Sequence, residues 1–251
     1  MIPKIIHLCW LSGDEYPSKI AYCINTWRKI LPDYKIMLWD TTRFDPDESI
    51  WVKQAFEKKK YAFAADYIRF YALYNYGGIY LDSDVEVLKS FNDLLDLPYF
   101  MGAEKAGTIE AAIMGAEKGL DWTKICLDYY QDRPFIKPDN TLDIRKVPEI
   151  MMEEIQKLKP IRHLTAEETK GIRRMDFQKE VLVMPDDFFS PKVFDSREVL
   201  VTPNTYAIHH YQNSWFSPKA KIYYRGRTAM IRIFGYDFVR KIECLLFPSR
   251  R

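Results

Sequence analysis

The 251 residues, 47% hydrophobic and 29% charged, have the composition of an ordinary globular protein and the length of one large domain that needs no staples for its core. A net charge of +2 argues against general nucleic-acid binding, and no apolar run reaches the roughly 18 residues of a membrane span. Cys9, Cys23, Cys126 and Cys244 stand far apart without a C-x-x-C pair, which excludes a zinc ribbon or disulfide framework and, with no signal-peptide pattern, points to a reducing, cytoplasmic setting.

Residues 4–10 are apolar and end at Trp10 before a glycine turn, which predicts a first strand. In an open α/β sheet, ligands sit outside the carboxyl ends of the strands, so Trp10 is expected either at a site or in the core. His7, inside that strand, reads as a structural histidine. Ser18 is placed to cap a helix ending near Pro32, and residues 34–39 form a second strand. Asp40 after it suits either a ribose contact or a turn cap. Residues 48–59 read as a helix whose Lys58-Lys59-Lys60 end is solvated.

Residues 61–76 follow helical spacing, with Ala65, Ile68, Ala72 and Tyr76 as the expected buried stripe. Asp66 and Arg69, three apart, share neighbouring faces. Gly77 and Gly78 end the helix, since glycine takes the left-handed conformation of a helix C-terminus. Ile79-Tyr80-Leu81 is then a short buried strand ending in Asp82-Ser83-Asp84. Residues two apart on an extended chain face one side, so the two carboxylates converge and repel. A divalent cation with a taste for oxygen, Mg²⁺ or Mn²⁺, relieves that conflict. Extended Cα atoms two apart are about 6–7 Å from each other. The chain must therefore turn at the motif, or one Asp must act through water. Glu86 is either a supporting residue or simply exposed.

Residues 97–104 and 108–115 read as strands and 121–130 as a helix. Residues 131–180 are polar and basic, with helical pieces near 147–157 and 165–174, and are expected to be a variable, acceptor-side insertion. A strand at 180–184 precedes Asp186-Asp187. A strand ending near His209 and His210 offers imidazole as a third ligand, and alternation lets only one of the two face the site. Residues 217–251 are helical, with basic and apolar residues interleaved. That pattern fits either packing on the domain or contact with an anionic membrane surface.

The stretch A-x-D-x-x-R-x-x-x-L-Y-x-x-G-G-x-Y-x-D-x-D, with the D-x-D starting 16 residues after Asp66, resembles glycosyltransferase family 32. That family takes in initiating mannosyltransferases and capsule transferases, and the stretch is also similar to the catalytic domains of glucosylating toxins. The I-P-K-I-I-H-x-x-W opening and the H-H-x-x-x-S-W block extend the resemblance; Gln212 and Asn213 depart from it. It implies a single GT-A domain over residues 1–251: a Rossmann-like α/β fold with a mixed sheet. It also implies a UDP- or GDP-linked sugar donor, retention of configuration, and Mn²⁺ or Mg²⁺ on Asp82 and Asp84. By the same resemblance Trp10 stacks on the base, Asp66 and Arg69 orient the donor, and Asp82, Ser214 and Trp215 meet the donor side. His210 is favoured over His209 as third ligand, because the family's histidine usually precedes Tyr or Phe. No residue is identified as nucleophile. The expected acceptor is a glycan or lipid-linked oligosaccharide, in capsular or other cell-surface polysaccharide synthesis; the expected setting is cytoplasmic, and the pattern of 217–251 leaves peripheral contact with the inner face of the membrane open beside packing on the domain.

Two other readings are open. An apolar strand ending in D-x-D also opens haloacid-dehalogenase-like phosphatases, with Asp82 as nucleophile and Asp186-Asp187 as the later acidic pair. A non-catalytic sugar-binding module is the other.

Overall fold

The computed structural model describes residues 1–105, 107–192, 198–212 and 218–246. The chain runs β1 (Ile5–Cys9), α1 (Ser18–Ile30), β2 (Lys35–Trp39), α2 (Ile50–Glu57), α3 (Tyr61–Tyr76), β3 (Gly78–Leu81), β4 (Val85–Val87), β5 (Tyr99–Ala103), β6 (Ile109–Ala116) and α4 (Asp121–Asp128). It continues with α5 (Val147–Leu158), β7 (Ile161–His163), α6 (Ala166–Thr169), β8 (Val181–Val183), β9 (Ala207–His209), α7 (Pro218–Phe234) and α8 (Tyr236–Leu246).

Five strands form one sheet in the order β2-β1-β3-β6-β5. β1 is parallel to β2 and to β3, whereas β6 is antiparallel to both β3 and β5. This is a mixed, Rossmann-like α/β sheet, the kind that the GT-A expectation calls for. Alternation along the strands divides the core. Ile6, Leu8, Ile79, Leu81 and Phe100 face one side, where α1 contributes Ile24 and Trp27. Tyr80, Met101 and Met114 face the other, under α2, α3, α4 and α5. Parallel β1, β2 and β3 end on the same edge, the side where an open α/β sheet receives its ligand.

The turn from α3 into β3 sets where β3 ends. Gly77 has φ +64° and Gly78 φ +111°, conformations that side chains rarely adopt. A Cβ on Gly78 would lie 2.7 Å from the Ile5 carbonyl oxygen, so only glycine lets β3 approach β1. His7 secures this turn from below. Trp39 Nε1 donates to His7 Nδ1 at 3.1 Å, which leaves His7 Nε2 to donate to the Gly77 carbonyl at 2.7 Å. Burial pushes the His7 pKa down to about 4, against the pull of the Gly77 bond. The structural role expected of His7 is the one found.

Four local expectations change. Ser18 starts α1 without capping it, because Pro17 takes the cap position. Tyr76 is 42% exposed and Ala65 is only partly buried; the buried stripe of α3 is Ala64, Ile68 and Ala72, widened by Phe63, Phe70 and Leu73. The helical stretch expected over 217–251 divides among the described residues, since Gly235 at φ +84° separates α7 (Pro218–Phe234) from α8 (Tyr236–Leu246). β4 and β7, three residues each, were not anticipated, being too short for alternation to show. Cys9, Cys23 and Cys126 are free thiols.

Candidate active site

The D-x-D pair sits at a turn. Asp82 N–H donates to the Ala112 carbonyl at 2.9 Å, extending the β3–β6 ladder by one bond, and Val85 N–H then closes back on the Asp82 carbonyl at 3.0 Å. The chain therefore turns within the motif, one of the two solutions its spacing required. The turn feeds β4, which pairs antiparallel with β9 and sets Val85 opposite His209. That pairing carries a histidine from the far end of the chain to the two carboxylates. One ligand atom from each of Asp82, Asp84 and His209 lies within 4.8 Å of the other two.

Here the structure departs from the expected histidine. His209, not His210, joins the aspartates, with Nε2 3.6 Å from Asp84 Oδ1. Strand alternation turns His210 to the opposite side, where its Nε2 lies 2.7 Å from Glu86 Oε2. Glu86 also accepts from the Tyr22 hydroxyl at 2.6 Å. Glu86 and His210 thus tie β4 and β9 to α1, away from the aspartates. The family habit that favoured His210 concerns neighbours in sequence; the β4–β9 register decides which ring points inward.

Each carboxylate of the corner is held. Tyr80 OH donates to Asp82 Oδ1 at 2.7 Å, and Arg69 Nη2 lies 3.6 Å from the same oxygen. Gln212 N–H donates to Asp84 Oδ2 at 2.7 Å, and His210 N–H to the Asp84 carbonyl at 3.2 Å. Gln212, where the sequence departs from the family, therefore contributes through its backbone. Arg69 is buried, donates to Asp66 Oδ1 and to the Ala111 carbonyl, each at 2.8 Å, and stacks on the Tyr80 ring at 4.8 Å. Burial raises the Asp66 carboxyl to about 7, although Arg69 pulls it down. The Asp66–Arg69 pair is thus both an intrahelical ion pair and part of the Asp82 network.

His209 is the electrostatic hinge of the cluster. Burial alone would disfavour its charge, but the carboxylates of Glu110, Asp84 and Asp82 outweigh burial and raise its pKa to about 10. Once a cation displaces the Nε2 proton, two carboxylates and an imidazole at this spacing form the donor set that suits Mn²⁺, with Mg²⁺ a second fit through the oxygens. Their side chains therefore fit the cation the motif implies.

Trp10 continues the same rim. Its N–H bonds the Trp39 carbonyl at 2.9 Å, its indole donates to the Asp14 carbonyl at 2.8 Å, and Tyr16 meets it edge-on at 5.0 Å. It is half-buried, with part of its surface open. Asp40 is a turn cap: its Oδ1 accepts from Thr42 N, Thr42 Oγ1 and Arg43 N. Ser214 and Trp215 lie outside the described residues. The acidic pair of the phosphatase reading is engaged elsewhere, Asp186 with Lys105 at 2.7 Å and Asp187 with Thr202 at 2.6 Å.

Sequence reasoning passed over Glu110, Tyr211 and Ser190, which stand behind His209. A signal existed for Glu110: it is the one charge in the apolar strand IEAAIMGA, and a buried carboxylate needs partners. Nothing local marked Ser190 or Tyr211.

Residues 17–101 match the family model described as "Glycosyltransferase sugar-binding region containing DXD motif". "Inositol phosphoceramide mannosyltransferase 3" of Schizosaccharomyces pombe is 33% identical over 122 residues, 47% of this chain and 34% of that protein. "Uncharacterized glycosyltransferase L373" of Acanthamoeba polyphaga mimivirus is 29% identical over 154 residues, 57% of this chain and 60% of that protein. The chain thus spans less than two thirds of the length of these curated relatives. Among solved structures, "PaToxG Glycosyltransferase" superposes with a TM-score of 0.48 at 20% identity, over 62% of this chain and 68% of that one.

Proposed function

From the premise that residues 17–101 are a glycosyltransferase sugar-binding region of the D-x-D family, we propose that the protein transfers a sugar from a nucleoside diphosphate donor, GDP- or UDP-linked, to a glycan or lipid-borne acceptor. The observation that carries this reading is the convergence of Asp82, Asp84 and His209 at the ligand edge of the sheet. These three residues would hold Mn²⁺ or Mg²⁺, which when bound neutralises charge on a leaving diphosphate. Trp10, on the same rim, offers its open surface to the base, and stacking of that kind is worth about 1–3 kcal/mol. Arg69, itself held by Asp66, steadies Asp82 from behind, and the pair supplies donor and acceptor atoms toward the diphosphate and the sugar. Ser214 and Trp215 are proposed to complete the donor side. Retention of configuration and a role in cell-surface or capsular glycan synthesis follow from the family resemblance.

The mannosyltransferase named among the relatives acts on an inositol phosphoceramide, which supports a mannosyl donor and a lipid-borne acceptor. The α7–α8 pair fits such an acceptor. Residues 218–246 carry seven basic residues against Asp237 and Glu243, and Ile222 and Ile233 are 70% and 72% exposed. No helix among the described residues is long and apolar enough to cross a membrane. We place this pair on the surface of an anionic membrane, at its cytoplasmic face. A panel of GDP- and UDP-sugars with Mn²⁺, read by thermal shift and by donor hydrolysis, tests the reading. Stabilisation by GDP-mannose with slow hydrolysis is expected; a response to phosphomonoesters alone would favour the phosphatase.

A further inference from the structure

Glu110 is 1% exposed, yet it carries a charge as the second residue of the apolar strand β6. A carboxylate in such a place costs several kcal/mol unless its lone pairs are taken. They are taken in a specific order. Ala112 N–H donates to Oε1 at 2.8 Å. His209 Nδ1 lies 3.2 Å from Oε2, and the Tyr211 hydroxyl 3.4 Å from the same oxygen. Ser190, fully buried, shares a 2.6 Å hydrogen bond with that hydroxyl. Tyr211 itself has φ +52°, a strained value for a residue other than glycine, and its ring centroid is 4.1 Å from that of His209. The imidazole is therefore gripped on one face by Tyr211 and at Nδ1 by Glu110, with Nε2 directed at Asp84.

We propose that Glu110 is a positioning residue for the cation site: by accepting the hydrogen bond from His209 Nδ1–H it keeps that proton on Nδ1, so that when a cation displaces the Nε2 proton the Nε2 lone pair faces Asp82 and Asp84. Tyr211 and Ser190 hold the carboxylate and the ring in register. The inference rests on the reading above, in which Asp82, Asp84 and His209 bind a divalent cation. Histidine ligands generally depend on such a partner for orientation, and losing it typically weakens metal binding 10–100-fold.

Glu110→Gln tests this with little change of shape. The Ala112 N–H keeps the amide oxygen on its side, so the NH₂ group meets His209 Nδ1. Nδ1 must then accept, the ring proton moves to Nε2, and the nitrogen facing the aspartates loses its lone pair. Mn²⁺ titration followed by the EPR signal of the free ion is expected to show 10–100-fold weaker binding in Glu110→Gln than in wild type. Histidine ¹⁵N shifts of the Mg²⁺-loaded wild type are expected to show Nδ1 protonated on His209. Equal Mn²⁺ affinity in the two proteins overturns the inference. So does a wild-type spectrum with the proton on Nε2, which needs no variant to fold. A wild type that takes up no Mn²⁺ at all overturns instead the reading of the site itself, and this inference with it.

Discussion

The rim of the sheet and the α7–α8 pair are built on opposite principles. At the rim, charge is buried and matched: Asp82 is held by Tyr80 and Arg69, Asp84 by Gln212, and His209 by Glu110. On α7 and α8, apolar side chains stand in water, Ile222 and Ile233 foremost, among basic residues. A surface of this kind usually marks an interaction site, because globular proteins keep exposed apolar patches small. The rim is organised before its ligand arrives; the helix pair has its apolar face turned to whatever covers it. Substitutions at the rim should therefore cost binding and turnover, whereas those on the helix pair should cost only attachment.

The largest effect is expected at Asp84. Asp84→Ala should lower Mn²⁺-dependent donor hydrolysis on the order of 10³-fold, as several kcal/mol of metal stabilisation are lost, with an unchanged circular dichroism spectrum. Turnover equal to wild type would show that the matched charge at the rim serves the fold alone.

The footing of the rim gives the next effect. The His7 pKa is about 4 in the fold and about 6.5 in an unfolded chain. As pH falls, the unfolded chain takes up this proton first. The stability His7 provides is therefore complete above about pH 6.5 and declines toward pH 4, by roughly 3 kcal/mol. Urea unfolding across that window should show a steeper pH slope for wild type than for His7→Gln. Parallel slopes would remove His7 from the account.

The two histidines sharpen the comparison within the rim. His209→Gln should weaken Mn²⁺ binding by about 10–100-fold, whereas His210→Gln, which faces Glu86, should change it less than about threefold. Calorimetric titration of both proteins decides, and the reverse ranking would restore the histidine favoured by family habit.

On the helix pair, the double substitution Ile233→Glu and Phe234→Glu should weaken binding to phosphatidylglycerol-rich vesicles, read by co-sedimentation, by about a hundredfold or more, since each buried apolar side chain is worth about 1.5–3 kcal/mol. Binding of wild type should also fall with salt, because the basic residues contribute about 1 kcal/mol each near an anionic surface. Thermal stability should stay within about 0.5 kcal/mol of wild type for Ile233→Ser, an exposed position. Vesicle binding that ignores both charge and salt would detach the helix pair from the membrane.

Much of the rim was legible because its signals are local. Gly77-Gly78 announced the end of α3, the apolar triplet announced β3, and the 6–7 Å spacing of extended residues two apart demanded a turn at Asp82–Asp84. What was not legible depends on contacts across the chain. The choice of His209 over His210 is made by pairing with Val85, 124 residues earlier, and a three-residue strand carries no alternation to reveal it. Tyr211 and Ser190 join Glu110 only after β6 and β9 come together. Tyr76 was read as buried from helical spacing, yet α3 buries Asp66 and Arg69 as well, so hydrophobicity alone misjudged which turns face the core.

The central claim is that Asp82, Asp84 and His209 hold one cation together with a diphosphate. Anomalous scattering from crystals grown with Mn²⁺ and GDP or UDP addresses it most directly. The account predicts a manganese peak bounded by those three side chains, with phosphate oxygens completing its shell. A diphosphate bound at the rim with no manganese among the three, or manganese on His210 and Glu86, would contradict it.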